Sequence, residues 1–394
     1  MDIEVRAGRI VGSIRVPGSK SIAQRALILA CKRGGRITNV PDSGDVAVMC
    51  EGLRALGFSV EEQGDERIVS GQMHDEPATI DVADNGTAAR CLTALAATRA
   101  APTRFECSDR LRKRPMEPLL QALRQLGAEV DSDSLPYTVR GPIRGEAITV
   151  DTSDSSQFAT AMVLLVSRVR GLKVKVIGKA SFAYVGLTAL IMRKFESPFA
   201  VEPDFSSAAV YAVAAAVTGG DVLLSGLNMS SPQPDARILP FLNRAGARVT
   251  QEDDGVRIRG GGLKGIVANV GNCPDLAPLL GAMGALAEGE TVVAGAPHLV
   301  HKESDRIAAM VGLIRELGGE AEARDDGFVV TGGLPMVGRT VSSREDHRIA
   351  MAAGVLALRI PGVTVTGSEA VKKSYPAFFD DLAALTQAPL EPLR

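Results

Sequence analysis

The 394-residue sequence lacks the marks of several protein classes. Charge of one sign is not in excess: 44 Lys and Arg stand against 46 Asp and Glu, a formal net charge of −2. A nucleic-acid footprint normally leaves a clear basic surplus, so nucleic acid is excluded as the main partner. Cysteine is sparse, with Cys31, Cys50, Cys91, Cys107 and Cys273 odd in number and scattered without CxxC spacing. That pattern argues against a disulfide frame or a cysteine zinc site and fits reduced thiols. His298, His301 and His347 show neither HxH nor HxxxH spacing, so no metal is expected. No GxxxxGK[ST] loop occurs, which leaves ATP without support as a phosphoryl donor. No apolar run approaches membrane-spanning length, and Met1-Asp2-Ile3-Glu4-Val5 is not a basic-then-apolar leader. A cytoplasmic protein with no membrane partner is expected.

What the chain does have is repetition. Six times a polar cluster precedes an alanine-rich run of helix length and then a glycine-punctuated strand. The copies start at Ser19-Lys20-Ser21, Asn85-Gly86-Thr87, Ser155-Ser156-Gln157, Asp204-Phe205-Ser206-Ser207, Pro274-Asp275 and Asp346-His347-Arg348. The interval is about 70 residues, shortened between the third and fourth copies. A second pattern interleaves with the first. Leu53–Val60, Leu123–Val130, Leu242–Val249 and Ile314–Ala321 each read as a helix end, a stopping glycine and the start of a strand. A β-rich run then closes each unit at Gly71, Gly141, Gly260 or Gly332. Two further copies, near Leu190–Val201 and Phe378–Leu385, are degenerate.

A chain this long is expected to form two domains, here of three repeats each. The last repeat has no return strands, so residues 1–18 are expected to supply them. The chain then crosses between domains near Pro17-Gly18 and again near Gly226. That gives a discontinuous domain of 1–18 and 227–394 and a continuous one of 19–226.

A helix start offers free N–H donors and partial positive charge. A Ser, Thr or Asp there is most often only a cap. Here, however, Lys20, Arg25, Arg90 and Arg348 lie in or beside those starts, where a cation opposes the helix dipole unless an anion is expected. More cations gather in Arg110-Leu111-Arg112-Lys113-Arg114, in His301-Lys302-Glu303-Ser304-Asp305-Arg306 and at Lys372-Lys373. In a chain of near-zero net charge, this points to one or two strongly anionic small ligands.

Pro17-Gly18-Ser19-Lys20-Ser21 with Arg25-Ala26-Leu27, and Asn85-Gly86-Thr87-Ala88-Ala89-Arg90, resemble signatures of the 5-enolpyruvylshikimate-3-phosphate (EPSP) synthase family. Lys113-Arg114-Pro115-Met116, Ser155-Ser156-Gln157, Asp204–Ala208, Pro274-Asp275, Lys302–Arg306, Asp346-His347-Arg348 and Lys373-Ser374-Tyr375-Pro376 follow in the family's order, over nearly the whole chain. The resemblance implies an α/β fold: the two-domain enolpyruvyl transferase fold, with six βαβαββ repeats, three per domain, as an inside-out α/β barrel and an active site in the cleft. It also implies transfer of the enolpyruvyl group of phosphoenolpyruvate to the 5-hydroxyl of shikimate 3-phosphate, without a cofactor, by a monomer that glyphosate inhibits.

Carried over residue by residue, shikimate 3-phosphate would meet Lys20, Ser21, Arg25, Ser155, Ser156, Gln157, Ser181, Asp275 and Lys302. Phosphoenolpyruvate would meet Lys20, Gly86, Arg114, Gln157, Arg306, Arg348 and Lys373. Asp275 is expected as base and Glu303 as acid, with Lys20 assisting; Asp204–Ser207 is expected to be structural. The chain departs from the family at Asp84 and His298, where asparagine is common, and at Cys91, where proline is. The Ser181–Tyr184 stretch also lacks its usual proline. Two rivals stay open: the sister enzyme acting on UDP-N-acetylglucosamine, which carries a reactive loop cysteine, and a non-catalytic anion binder.

Overall fold

A computed structural model describes residues 1–178 and 181–387. The chain divides into two compact units. One, discontinuous, is Met1–Pro17 with Pro203–Arg394; the other, continuous, is Gly18–Glu202. The first crossing falls where the sequence places it. The second falls at Glu202-Pro203 rather than near Gly226, and the reason is the fourth repeat. Its strand Asp221–Ser225 pairs in parallel with Arg9–Ile14, and its helix packs on the two repeat helices that follow.

Six helices begin the repeats, and we label them α1 to α6. They are α1 (Lys20–Ala30), α2 (Gly86–Ala96), α3 (Ser156–Val166), α4 (Phe205–Thr218), α5 (Ala277–Leu286) and α6 (His347–Ala357). In the continuous unit α1, α2 and α3 touch one another, and in the discontinuous unit α4, α5 and α6 do the same. Burial explains their composition. Every residue of α6 is buried, as is every residue of α4 except Ser206. A helix covered on all sides must be apolar all round, and alanine and glycine allow the close approach. At Gly281 of α5, an added Cβ would stand 2.9 Å from the Phe328 ring.

Sheets lie on the outside of these helix triplets. Four share one pattern: a parallel strand pair extended by two antiparallel strands. Ala78–Asp81, Thr103–Glu106, Tyr137–Arg140 and Glu129–Val130 are one such set, in that order across the sheet. These sheets correspond to the four clear copies of the second sequence pattern. The degenerate copies leave two-stranded remnants, Ala147–Asp151 beside Lys173–Ile177 and Thr340–Ser342 beside Thr364–Thr366, the latter joined by Asp2–Glu4. The stopping glycines Gly57, Gly127, Gly246 and Gly318 all have positive φ, between 90° and 112°. Strand Phe58–Gln63 alternates buried and exposed at its start, so one sheet face is solvated.

Each unit closes on itself. Phe199–Ala200 pairs with Gly35–Thr38 of the first repeat, and Thr386–Gln387 pairs with Arg9–Ile14. The N-terminal segment therefore supplies strands to the discontinuous unit, as its missing return strands require. Among the described residues, no helix is long and apolar enough to cross a membrane.

Candidate active site

In the continuous unit, polar bonds join the starts of α1, α2 and α3. Lys20 Nζ donates to Asp45 Oδ2 at 2.9 Å. Asn85 donates to the Asp45 carbonyl at 2.6 Å and to Gln24 Oε1 at 3.0 Å, while its own Oδ1 caps α2 through Ala88 N–H. Gln157 Nε2 donates to Thr87 Oγ1 at 3.1 Å, tying α3 to α2. Gly86 sits at the centre. A Cβ added there would lie 2.6 Å from Arg90 Nη1, 2.9 Å from Arg114 Nη1 and 3.0 Å from Gln157 Oε1. The Gln157 Oε1 atom is buried without a hydrogen-bond partner, an arrangement that costs about 1–3 kcal/mol unless a ligand donor meets it.

Some expected ligand residues are engaged within the unit. Arg25 is buried; it donates to Thr188 Oγ1 at 2.8 Å, to the Ser21 carbonyl at 2.7 Å and to Thr160 Oγ1 at 3.2 Å. The Tyr184 ring centroid is 6.0 Å from its guanidinium carbon. Ser155 caps α3 by accepting Gln157 N–H at 3.3 Å, and Ser156 is buried in the first turn. Ser181 is buried with a φ of 50°, two residues before the helix Ala183–Lys194. Asp84, whose charge sits poorly beside an anion, is taken up by the Ser108 hydroxyl and by Arg110 at 3.2 Å.

The discontinuous unit gathers a different set around Arg306. This guanidinium is 1% exposed and meets three carboxylates: Asp275 at 2.7 Å, Glu303 at 3.0 Å and Asp346 at 2.9 Å. Asp346 also accepts the Ser304 hydroxyl at 3.0 Å and caps α6 through Arg348 N–H at 2.8 Å. Arg348 reaches the Ser206 carbonyl at 3.0 Å and lies 3.5 Å from the far oxygen of Asp275. Asp346 thus serves at once as helix cap and as ion-pair partner of Arg306.

Electrostatics follow from this packing. Burial alone would push the Asp275 carboxyl up, but Arg306, Arg348 and Lys302 outweigh it and hold the group well below the carboxylate range. Burial would likewise push Arg306 down, yet Asp346, Asp275 and Glu303 hold it above its ordinary value. His298 is pushed down to about 4, first by burial and then by Lys302. Lys373 ends the 3-10 turn Ser368–Lys373, which packs on α6. Among the described residues, no group of three His, Cys, Asp or Glu side chains is placed to hold a metal ion.

A family model described as EPSP synthase (3-phosphoshikimate 1-carboxyvinyltransferase) matches residues 5–198 and 196–382. The chain belongs to the EPSP synthase family. A 3-phosphoshikimate 1-carboxyvinyltransferase from Thermococcus kodakarensis is 36% identical over 95% of this chain and 98% of its own. One from Methanothermobacter thermautotrophicus is 35% identical over 96% and 97%. Among solved structures, EPSP synthase from Acinetobacter baumannii superposes with a TM-score of 0.78 at 24% identity, covering 99% of this chain and 98% of that one. The enolpyruvyl transferase NikO from Streptomyces tendae gives a TM-score of 0.73 at 17% identity, covering 98% and 99%. The fold is the two-domain α/β enolpyruvyl transferase fold.

The sequence reading passed over three participants. Asp45 carries no motif, nor does Asp235, which accepts the Ser206 hydroxyl, and Ser206 itself lies in the copy expected to be structural. Only their three-dimensional partners reveal them, although the cation Arg348 needed a partner that the sequence left unnamed.

Proposed function

We propose that this chain transfers the enolpyruvyl group of phosphoenolpyruvate to the 5-hydroxyl of shikimate 3-phosphate and releases phosphate. The observation that carries this reading is the cluster of Asp275 and Glu303 on one buried arginine, in a chain of this family. Glu303 protonates the methylene carbon of phosphoenolpyruvate, and the hydroxyl oxygen bonds to the neighbouring carbon as its proton passes to Asp275. In the second half-reaction the new methyl group returns its proton to Glu303, the carbon–oxygen bond to phosphate breaks, and phosphate leaves with the proton that Asp275 took from the hydroxyl. A carboxylate held as low as Asp275 is a weak base in the resting state. When an anionic ligand draws on Arg306 and Arg348, that hold relaxes and the base strengthens.

In this proposal Lys20, Ser21, Arg25, Ser155, Ser156, Gln157, Ser181, Asp275 and Lys302 serve shikimate 3-phosphate. Lys20, Gly86, Arg114, Gln157, Arg306, Arg348 and Lys373 serve phosphoenolpyruvate, since guanidinium forks suit both phosphate and carboxylate. The same reading makes the enzyme cytoplasmic, monomeric and inhibited by glyphosate in competition with phosphoenolpyruvate. The rival acceptor, UDP-N-acetylglucosamine, finds no support at Cys107, whose thiol burial pushes up rather than down. Incubating the protein with phosphoenolpyruvate and each acceptor in turn, and measuring released phosphate, tests the proposal. Release with shikimate 3-phosphate alone is expected; release only with the nucleotide sugar, or binding without release, overturns it.

A further inference from the structure

The polar stretch Asn228–Asp235 has no part in the reaction above, yet it ends inside the acid–arginine cluster. Asp235 lies on the 3-10 turn Pro234–Arg237 and is 1% exposed. It accepts the Ser206 hydroxyl at 2.5 Å. The carbonyl of the same serine accepts Arg348 Nη1 at 3.0 Å, and Arg348 Nη2 faces Asp275 at 3.5 Å. Ser206 thus links a buried carboxyl to a proposed phosphoenolpyruvate arginine, using its hydroxyl for one and its carbonyl for the other. It is also the residue of α4 that is not buried.

Resting on the proposed function, we infer that Asp235 is a positioning residue for Arg348: through Ser206 it fixes the guanidinium, and its charge sets how much of that cation is left for the ligand anion. The groups facing it are Ser206 and Asp204 from the start of α4, Asp275 and Cys273 from the segment before α5, and Arg348 from α6. Burial, then Asp275, push the Asp235 carboxyl up to about 7, against the pull of Arg348 and the Ser206 hydroxyl. Near neutrality the carboxyl therefore exchanges between two states. Ionised, it competes with the ligand for Arg348; protonated, it keeps Ser206 in place and leaves the cation to the ligand. Anion affinity falls as pH rises through this range.

The test compares wild type, Asp235→Ala, Asp235→Asn and Ser206→Ala between pH 6 and 8.5. KM for phosphoenolpyruvate and calorimetric affinity for inorganic phosphate are measured together. Asp235→Ala is expected to raise KM about 10-fold with kcat within about 3-fold, because a charged hydrogen-bond partner of the cluster is lost. Asp235→Asn keeps the shape without the charge, so it restores KM at pH 7 to within about 2-fold and flattens the pH dependence. A folded Asp235→Ala with wild-type KM, or an Asp235→Asn with the wild-type pH slope, overturns the inference.

Should Asp235→Ala fail to fold, Ser206→Ala and Asp235→Asn carry the same comparison. A Ser206→Ala of wild-type KM, or an Asp235→Asn of wild-type pH slope, overturns the inference. Absence of turnover in wild type refutes the proposed function alone, since phosphate binding still reads the slope. Absence of phosphate binding as well overturns this inference.

Discussion

The two units hold their cations in opposite ways. In the continuous unit, Arg90 spends its N–H groups on the carbonyls of Gly86 and Pro115 and lies 5.1 Å from the Phe158 ring centroid. Arg25 is bound by hydroxyls and a carbonyl. These partners of Arg90 and Arg25 fix geometry without cancelling charge, whereas Lys20 is paired with Asp45 and Arg110 with Asp84. In the discontinuous unit, Arg306 is matched by three carboxylates before any ligand arrives. An incoming anion there must compete with acids. On the proposed mechanism, that competition frees Asp275 and Glu303 only when the ligand is present. On the proposed function, one unit attracts the anion and the other makes its chemistry conditional on binding.

The largest expected effect breaks that conditional side. Asp346→Ala removes two bonds to Arg306 and the cap of α6, and leaves a buried guanidinium with less compensation. Breaking a buried pair from one side costs about 3–5 kcal/mol, so urea unfolding is expected to shift by that amount and activity to fall with it. A loss under about 1 kcal/mol shows instead that Arg306 is satisfied without Asp346. Next comes Glu303→Gln, which keeps the shape of the side chain and removes its proposed proton-transfer role. A kcat lower by about 10²–10⁴ is expected, with a smaller shift in unfolding than for Asp346→Ala, because the amide oxygen still accepts from Arg306. Unchanged turnover assigns the proton donor elsewhere.

How much of this comparison was legible in the sequence depends on range. The stopping glycines, the four return-strand copies and the need for N-terminal strands all follow from local pattern, and the structure carries each. The boundary near Gly226 did not hold, because helix α4 looks the same whichever triplet it joins; only the pairing of Asp221–Ser225 with Arg9–Ile14 decides it. At the site, cations at helix starts were visible because they contradict the dipole. Asp45, Ser206 and Asp235 were not, since nothing local separates a carboxylate on a turn from one buried beside an arginine. The family motifs named Asp275, Glu303 and Arg306, but not that this one arginine clamps both acids.

A smaller effect sharpens the attracting side. Gly86→Ala inserts a Cβ against Arg90, Arg114 and Gln157, and no backbone atom stands among its nearest contacts. These side-chain tips can shift, so stability stays near wild type while the cradle loses space. KM for phosphoenolpyruvate is expected to rise about 10-fold with kcat within about 3-fold. A larger fall in kcat than in affinity shows that Gly86 shapes the reacting geometry rather than the anion cradle.

The smallest effect separates structure from chemistry at His298. Burial, then Lys302, hold its folded value at about 4, below the ordinary value near 6.5. Above pH 6.5 the ring is neutral in both folded and unfolded chains, and its titration adds nothing. As pH falls from 6.5 towards 4, the unfolded chain gains a proton that the folded chain refuses, so stability is lost across that window. His298→Asn has no such proton to gain. Its unfolding free energy relative to wild type is therefore expected to be higher at pH 5 than at pH 8, with the pH profile of kcat unmoved between 7 and 8. Equal differences at both pH values show that His298 is not held neutral by burial, and a changed kcat profile places it in the chemistry.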